Sequence, residues 1–339
     1  MKKYQRLAQQ IISQIELGVW LPGDKLPSLR EQVASSGMSF MTVGHAYQML
    51  ESQGRIVARP QSGYYVASRP TAHQPAPPAQ VMRDEVVDIN TYIFDVLQAS
   101  RDPSVVPFAS AFPDPRLFPL QQLNRSLANV SKTATAMSVI ENLPPGNVDL
   151  RHAIARRYAQ QGMNISPEEI VITAGALEAL NLSLQAVTEP GDWVIVENPC
   201  FYGALQALER LKLKALSIAT DVREGIDLNA LEQALNDYPV KACWLMTNSQ
   251  NPLGFTLSAE KKALLVALLT KHNVTLIEDD VYSELYFGRE KPLPAKAWDR
   301  QDMTLHCSSF SKCLVAGFRI GWVAAGKHAR RIQQLQLMS

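Results

Sequence analysis

Cysteine is scarce: Cys200, Cys243, Cys307 and Cys313 are the four in 339 residues, and none forms a CxxC pair or a Cys/His cluster. Neither a disulfide framework nor a structural zinc site is suggested, so no metal is expected. Apolar runs are short. None approaches the roughly 18–20 residues that span a bilayer, and the opening MKKYQRLAQQ lacks the apolar core of a secretion signal. A cytoplasmic chain is expected. Net charge is also slight, +1 from 33 Lys+Arg and 32 Asp+Glu, while 46% apolar residues argue against wholesale disorder. The length is enough for about two domains.

The charge balance hides an asymmetry. Residues 1–69 carry eight Lys/Arg and four Asp/Glu, a net of +4, whereas the remainder carries 25 basic and 28 acidic side chains. A small basic module joined to a larger acidic body suggests a nucleic-acid binder with a second function, although a solvated basic face has the same composition. Between them, SRPTAHQPAPPAQVMRDE (68–85) holds four prolines and almost no large apolar side chain. Proline fixes φ and removes backbone donors, so residues 70–87 read as an extended, semi-rigid linker. The expected domains are therefore 1–69 and 88–339.

In the first region Tyr4, Leu7, Ala8, Ile11 and Ile15 recur at helical spacing, and Gly18 stands where that helix stops. Ser28 and Glu31 form a capping box that opens a second helix, which Gly37 closes. A third helix faces Val43, Ala46, Tyr47 and Leu50 inward and leaves Ser39, Phe40, Thr42, His45 and Met49 outward or lateral. Residues 55–59 and 64–67 then read as two strands around the turn Pro60–Gly63. Three helices followed by a two-stranded wing make a winged helix-turn-helix. Arg30 and Arg59 are placed to meet phosphates, which dominate affinity for double-stranded DNA.

The second region alternates short apolar runs with helical segments. Seven runs, at 169–173, 193–197, 214–219, 242–247, 274–279, 303–308 and 320–325, predict a mostly parallel seven-stranded sheet in an α/β domain with helices on both faces. Ligands on such sheets gather at the carboxyl ends of the strands, where Gly175, Phe201, Asn251, Asp279 and Ser309 fall. Read singly, these residues have ordinary explanations. Lys312 in SSFSKCLVAGFRIGW serves as a solvent-facing lysine among capping serines, Asp279 as a strand-end cap, Asn251 as a turn former and Phe201 as a core aromatic. Read together they offer an amine, an acid for a ring nitrogen, donors for a ring oxygen and backbone N–H groups for a phosphate.

The stretch LPGDKLPSLREQVASSGMSFMTVGHAYQMLESQGRIVARPQSGYYV (21–66) resembles, without gaps, the DNA-binding module of GntR-type transcription regulators. By position the resemblance implies DNA contacts from Arg30, Ser39, Thr42, His45, Arg59 and Gly63. Phe40 stands where that family usually has an arginine, which implies an apolar contact or altered specificity.

From about residue 108 onward, PPGNVDLRHAIARRY (144–158) and the ordered series Gly175, Phe201, Asn251, Asp279, Tyr282 and Lys312 resemble fold-type I aminotransferases that use pyridoxal 5'-phosphate. The resemblance implies that Lys312 is the catalytic Schiff-base amine and Asp279 the partner of the pyridine nitrogen. Asn251 and Tyr282 would hold the 3′-oxygen, and Phe201 would stack on the ring. Gly175, Ala176, Ser309, Ser311 and Arg319 would bind phosphate. Arg319 precedes its strand rather than following it, and reaches the carboxyl-end cleft only if that strand runs antiparallel to its neighbours. Leu177, Leu253 and Ala316 depart from the family's usual residues, and no tyrosine stands just before Pro144.

A GntR-type module linked to an aminotransferase-like domain resembles MocR-type regulators. Such a protein is expected to be a homodimer that binds an operator and answers to a small amine or amino acid. The alternative is an aminotransferase with an accessory DNA-binding domain. Against that family pattern the second domain is expected to be incomplete at its C-terminal end, without the small domain that carries a substrate-gripping arginine.

Overall fold

A computed structural model describes residues 2–67, 111–140 and 142–338, with scattered positions between 93 and 106. The chain divides into two compact units, Met1–Ala76 and Pro77–Ser339. The expected linker 70–87 lies outside the described residues.

The first unit contains α1 (Lys3–Glu16), α2 (Leu29–Ser36), α3 (Phe40–Ser52), β1 (Ile56–Arg59) and β2 (Gly63–Val66). Its core is the set that helical spacing predicts: Leu7, Ala8 and Ile11 of α1 pack with Val43, Ala46, Tyr47 and Leu50 of α3. Ser28 accepts from the Glu31 amide while the Glu31 carboxylate accepts from the Ser28 amide, so two otherwise orphaned donors of the α2 start are satisfied. The Tyr47 hydroxyl donates to Pro27 O at 2.8 Å and ties α3 to the start of α2. The wing gains an edge beyond the two expected strands. Lys25 bridges Tyr65, and Leu26 N–H donates to Tyr64 O at 2.9 Å. One residue of bridge is too short to leave a strand pattern in the sequence.

The second unit carries α4 (Leu120–Thr133) and α5 (Val148–Gln160) ahead of its sheet. Then follow β3 (Ile170–Thr173), α6 (Ala176–Val187), β4 (Trp193–Asn198), α7 (Tyr202–Arg210), β5 (Lys214–Asp221), β6 (Gly225–Ile226), α8 (Leu228–Asp237), β7 (Val240–Leu245), α9 (Ala259–Lys271), β8 (Thr275–Asp279), β9 (Thr304–Ser309), β10 (Gly321–Ala324) and α10 (Ala329–Gln336). The sheet has eight strands in the order β3-β10-β9-β8-β7-β4-β5-β6. All seven expected strands are present. The eighth, β6, is a two-residue return that pairs antiparallel with the end of β5, too brief for an apolar run to reveal.

The five central strands β9, β8, β7, β4 and β5 are parallel. Their apolar runs are continuous because helices cover both faces. On one face Leu180 and Leu184 of α6, Leu208 of α7 and Ile332 of α10 are buried. On the other, Leu231 of α8 and Leu265 and Leu269 of α9 are buried. β10 lies antiparallel between β3 and β9, with Gly321 opposite both Thr173 and Ser309. The start of β10 therefore shares an edge with the carboxyl ends of its neighbours, which brings Arg319 to the cleft.

Candidate functional site

One cavity of about 150 Å³ opens at those strand ends, lined by Ala111, Phe112, Ala176, Leu177, Leu180, Phe201, Tyr202, Met246, Asn251, Asp279, Val281, Tyr282, Ser309, Ser311, Lys312 and Arg319. Every candidate cofactor residue named from the sequence lines it except Gly175, which stands immediately behind the Arg319 guanidinium. β8 delivers Asp279, β9 delivers Ser309, and the turns after them deliver Tyr282, Ser311 and Lys312.

Asp279 is buried, and its Oδ1 has no hydrogen-bond partner among the described residues. Burial, helped by the charge of Asp280, pushes its carboxyl up to about 7. Asn251 Nδ2 lies 3.5 Å from the Tyr282 hydroxyl, which burial and then the Asp279 charge push up to about 12. Lys312 Nζ donates to Ala111 O at 3.0 Å and sits 3.8 Å from the centre of the Phe112 ring. Burial lowers its amine, and the Arg319 charge acts in the same sense while Asp279 opposes them. The Ser311 amide donates to Ser309 Oγ at 3.3 Å, leaving Ser311 Oγ buried without a partner among the described residues. Arg319 has a left-handed backbone and donates from Nη2 to Ala174 O at 3.1 Å. Phe201 and Tyr202 face each other at 4.6 Å between ring centres.

Behind Asp279 runs a buried polar chain that no local sequence spacing announces. Trp322 Nε1 donates to the Tyr158 hydroxyl at 2.9 Å, Tyr158 lies 2.6 Å from His306 Nδ1, and His306 Nε2 lies 2.9 Å from Asp280 Oδ2. Every donor finds an acceptor if Tyr158 donates to Nδ1 and Nε2–H donates to Asp280. Asn248 Nδ2 donates to the other Asp280 oxygen at 3.0 Å, and buried Lys262 donates to Asn248 Oδ1 at 2.6 Å. The chain fixes the Asp280 side chain beside Asp279, and the Asp280 charge raises the proton affinity of Asp279. Sequence reading also missed Ala111, Phe112, Tyr202 and Met246, because nothing about their own segments marks them as neighbours of Lys312.

In the first unit the residues named for DNA are not equally open to solvent. Arg30, Ser39, His45 and Arg59 are exposed, whereas Thr42 and Gly63 are half-buried. Ser39 caps α3 by accepting from the Thr42 amide, and the two hydroxyls bond each other at 2.9 Å. The His45 ring meets Tyr4 edge-on at 5.9 Å, and the Arg59 guanidinium lies over the Tyr65 ring at 4.3 Å. Met49, expected outward or lateral, packs half-buried against the core.

Fold and cavity together define a helix-turn-helix module carried in one chain with an aminotransferase-like α/β unit. Residues 119–339 match "Aminotransferase class I and II", and residues 3–66 match "Bacterial regulatory proteins, gntR family". The chain belongs to the aminotransferase class I and II family and carries a gntR-family module, the MocR-type arrangement. It is 83% identical to the uncharacterized HTH-type transcriptional regulator YdcR of Escherichia coli over the whole of this chain and 72% of that one. Identity to YjiR, another uncharacterized HTH-type transcriptional regulator of that organism, is 37% over 99% of this chain and 72% of that one. Among solved structures, a Pyrococcus horikoshii kynurenine aminotransferase is similar with a TM-score of 0.67 and 27% identity, over 72% of this chain and 62% of that one. An archaeal alanine:glyoxylate aminotransferase gives 0.66 and 28%, over 74% and 67%. No helix among the described residues is long and apolar enough to cross a membrane.

Proposed function

We propose that the chain is a DNA-binding transcription regulator whose second unit holds pyridoxal 5'-phosphate and senses a small amine or amino acid. The observation that carries this reading is one cavity uniting Lys312, Asp279, Ser311 and Arg319 in a chain that also bears a gntR-family module. The residues present fit the cofactor. Two buried polar atoms, Asp279 Oδ1 and Ser311 Oγ, lack partners among the described residues, and both belong to residues that line the cavity. Beside them the Arg319 guanidinium packs directly on the Gly175 backbone, where a Cβ would lie 2.6 Å from Nη2.

When bound, pyridoxal phosphate supplies an aldehyde that takes up amines and an electron-withdrawing ring. Asp279 Oδ1 would accept a hydrogen bond from the ring nitrogen and keep its proton there. Asn251 Nδ2 and the Tyr282 hydroxyl would hold the ring oxygen, with Phe201 against the ring face. Ser309, Ser311, Arg319 and the amides of Gly175 and Ala176 would take the phosphate at the start of α6. Lys312, its proton affinity lowered by burial, would offer Nζ as the nucleophile. An effector amine competes with that Nζ for the same cavity.

Residues 1–69 then form the DNA-binding domain, 70–87 the linker and 88–339 the sensor. In a homodimer two wings would imply two half-sites in the operator. A cytoplasmic location accords with such a role. The relatives bearing both parts are named transcriptional regulators, which favours this reading over an aminotransferase with an accessory domain.

The test is the absorption spectrum of purified protein with added cofactor, followed by operator binding with and without amines. A long-wavelength band is expected in the wild type and absent in Lys312→Ala. Operator affinity indifferent to cofactor, amines and Lys312→Ala would sink the sensing role. Arg30→Ala and Arg59→Ala are each expected to weaken DNA binding across sequences and to lower the salt slope by about one, measured by titration at several salt concentrations.

A further inference from the structure

The outward face of α3 is defined by what is left after its core positions are assigned. Opposite Val43, Ala46, Tyr47 and Leu50 lie Met41, His45, Gln48 and Ser52, all exposed and spaced at helical intervals. Phe40 flanks them at the start of the helix. Phe40 and Met41 are 54% and 69% exposed, two large apolar side chains side by side on a small module. Of the polar residues in the same turn, the Ser39 and Thr42 hydroxyls bond each other, which leaves one O–H between them free to donate. The leading end of the helix thus presents mainly carbon and sulfur to whatever it meets.

Gly44 supplies an independent observation. It lies inside α3, four residues after Phe40 and four before Gln48, where glycine weakens a helix relative to alanine. Nothing among the described residues requires it: a Cβ at Gly44 would have no atom of theirs within 4 Å. The half-buried backbone there has open space beside its Cα among the described residues.

Resting on the DNA-binding reading above, we propose that α3 reads the major groove by apolar contact, with Phe40 and Met41 packed against thymine 5-methyl groups and Gly44 giving the duplex clearance. The thymine methyl is the apolar feature of base edges in that groove, and residues at the start of a recognition helix are the ones that reach base edges. The net charge of +4 over residues 1–69 suits a polyanionic partner.

The experiment uses the full chain. Sites are selected from a random duplex pool, and each thymine in the selected site is then replaced singly by deoxyuridine, which removes only the methyl group. Wild-type affinity is expected to fall about fourfold for each methyl that packs against the helix. Phe40→Ala and Met41→Ala, still binding the site, are expected to lose that sensitivity at the corresponding positions. Gly44→Ala is expected to melt at the same or a higher temperature while binding about tenfold more weakly, a combination that misfolding does not produce. Binding that ignores every thymine-to-uracil change, or a Gly44→Ala protein that binds as well as the wild type, overturns this inference and leaves the DNA-binding reading standing. Failure to enrich any duplex overturns the DNA-binding reading itself.

Discussion

Asp279→Asn is expected to stabilise the ligand-free protein by about 2–4 kcal/mol at pH 8 while weakening pyridoxal phosphate binding roughly 100-fold. Burial and the Asp280 charge lift the Asp279 carboxyl from 3.8 to about 7. The folded chain therefore holds this proton more tightly than the unfolded chain, and from about pH 4 to pH 7 it binds the larger share. Stability falls as pH rises through that window, and above it the protein carries the full cost of a buried carboxylate whose Oδ1 has no partner among the described residues. Asparagine removes the charge at nearly constant shape. Its advantage should shrink toward zero below pH 4, where both states of the wild type are protonated. The cofactor cost has the opposite sign, because a charge-assisted hydrogen bond to a ring N–H is worth roughly 2–3 kcal/mol and asparagine cannot hold that proton. Denaturant titrations at pH 5 and pH 8, with and without cofactor, separate the two effects. Equal stability of the variant and wild type at pH 8 would count against a buried carboxylate with one unpartnered oxygen.

The pattern of what could be read from the sequence follows from the range of the interactions. Strands buried on both faces leave continuous apolar runs, so β3, β4, β5, β7, β8, β9 and β10 were all visible, while the two-residue β6 left no such trace. Asp279, Tyr282, Ser309 and Lys312 stand at or just past strand ends, where a parallel sheet gathers ligands, and it is as an ordered set that they become candidates. Arg319 needed one further fact, the antiparallel direction of β10, which pairing between distant segments decides. Ala111 and Phe112 are some two hundred residues from the lysine they touch and carry no periodic signal. The Tyr158–His306–Asp280 chain is likewise assembled from three separate elements, so no spacing within one element could show it. On α3 the core residues were legible from spacing. The outward face was only partly so, since Met41 and Gln48 lie on it and Thr42 does not.

Gly321→Ala is expected to cost about 3 kcal/mol or more and to remove cofactor binding with it, a larger effect than the same change at Gly175. Both glycines sit where β10 meets the start of α6, but the atoms they face differ in how freely they move. A Cβ on Gly321 would lie 2.4 Å from the Gly175 carbonyl carbon and 2.7 Å from the Ala176 nitrogen, both backbone. Relief requires β10 to part from α6, and β10 is hydrogen-bonded to β3 on one side and β9 on the other. The displacement would therefore spread to Ser309 and to the amides of Gly175 and Ala176, the groups proposed to take the phosphate. At Gly175 a Cβ meets the far end of the Arg319 side chain, which can swing aside. What remains there is backbone strain, since φ of 96° and ψ of 169° belong to a region that glycine alone occupies readily, at a cost of about 1–3 kcal/mol. Adding Arg319→Ala to Gly175→Ala should recover little stability, because it removes the contact and leaves the strain. Denaturation midpoints of the three variants, set beside phosphate binding by each, distinguish the two costs. A Gly321→Ala protein as stable as the wild type would mean that β10 and α6 do not approach as closely as the backbone contact requires.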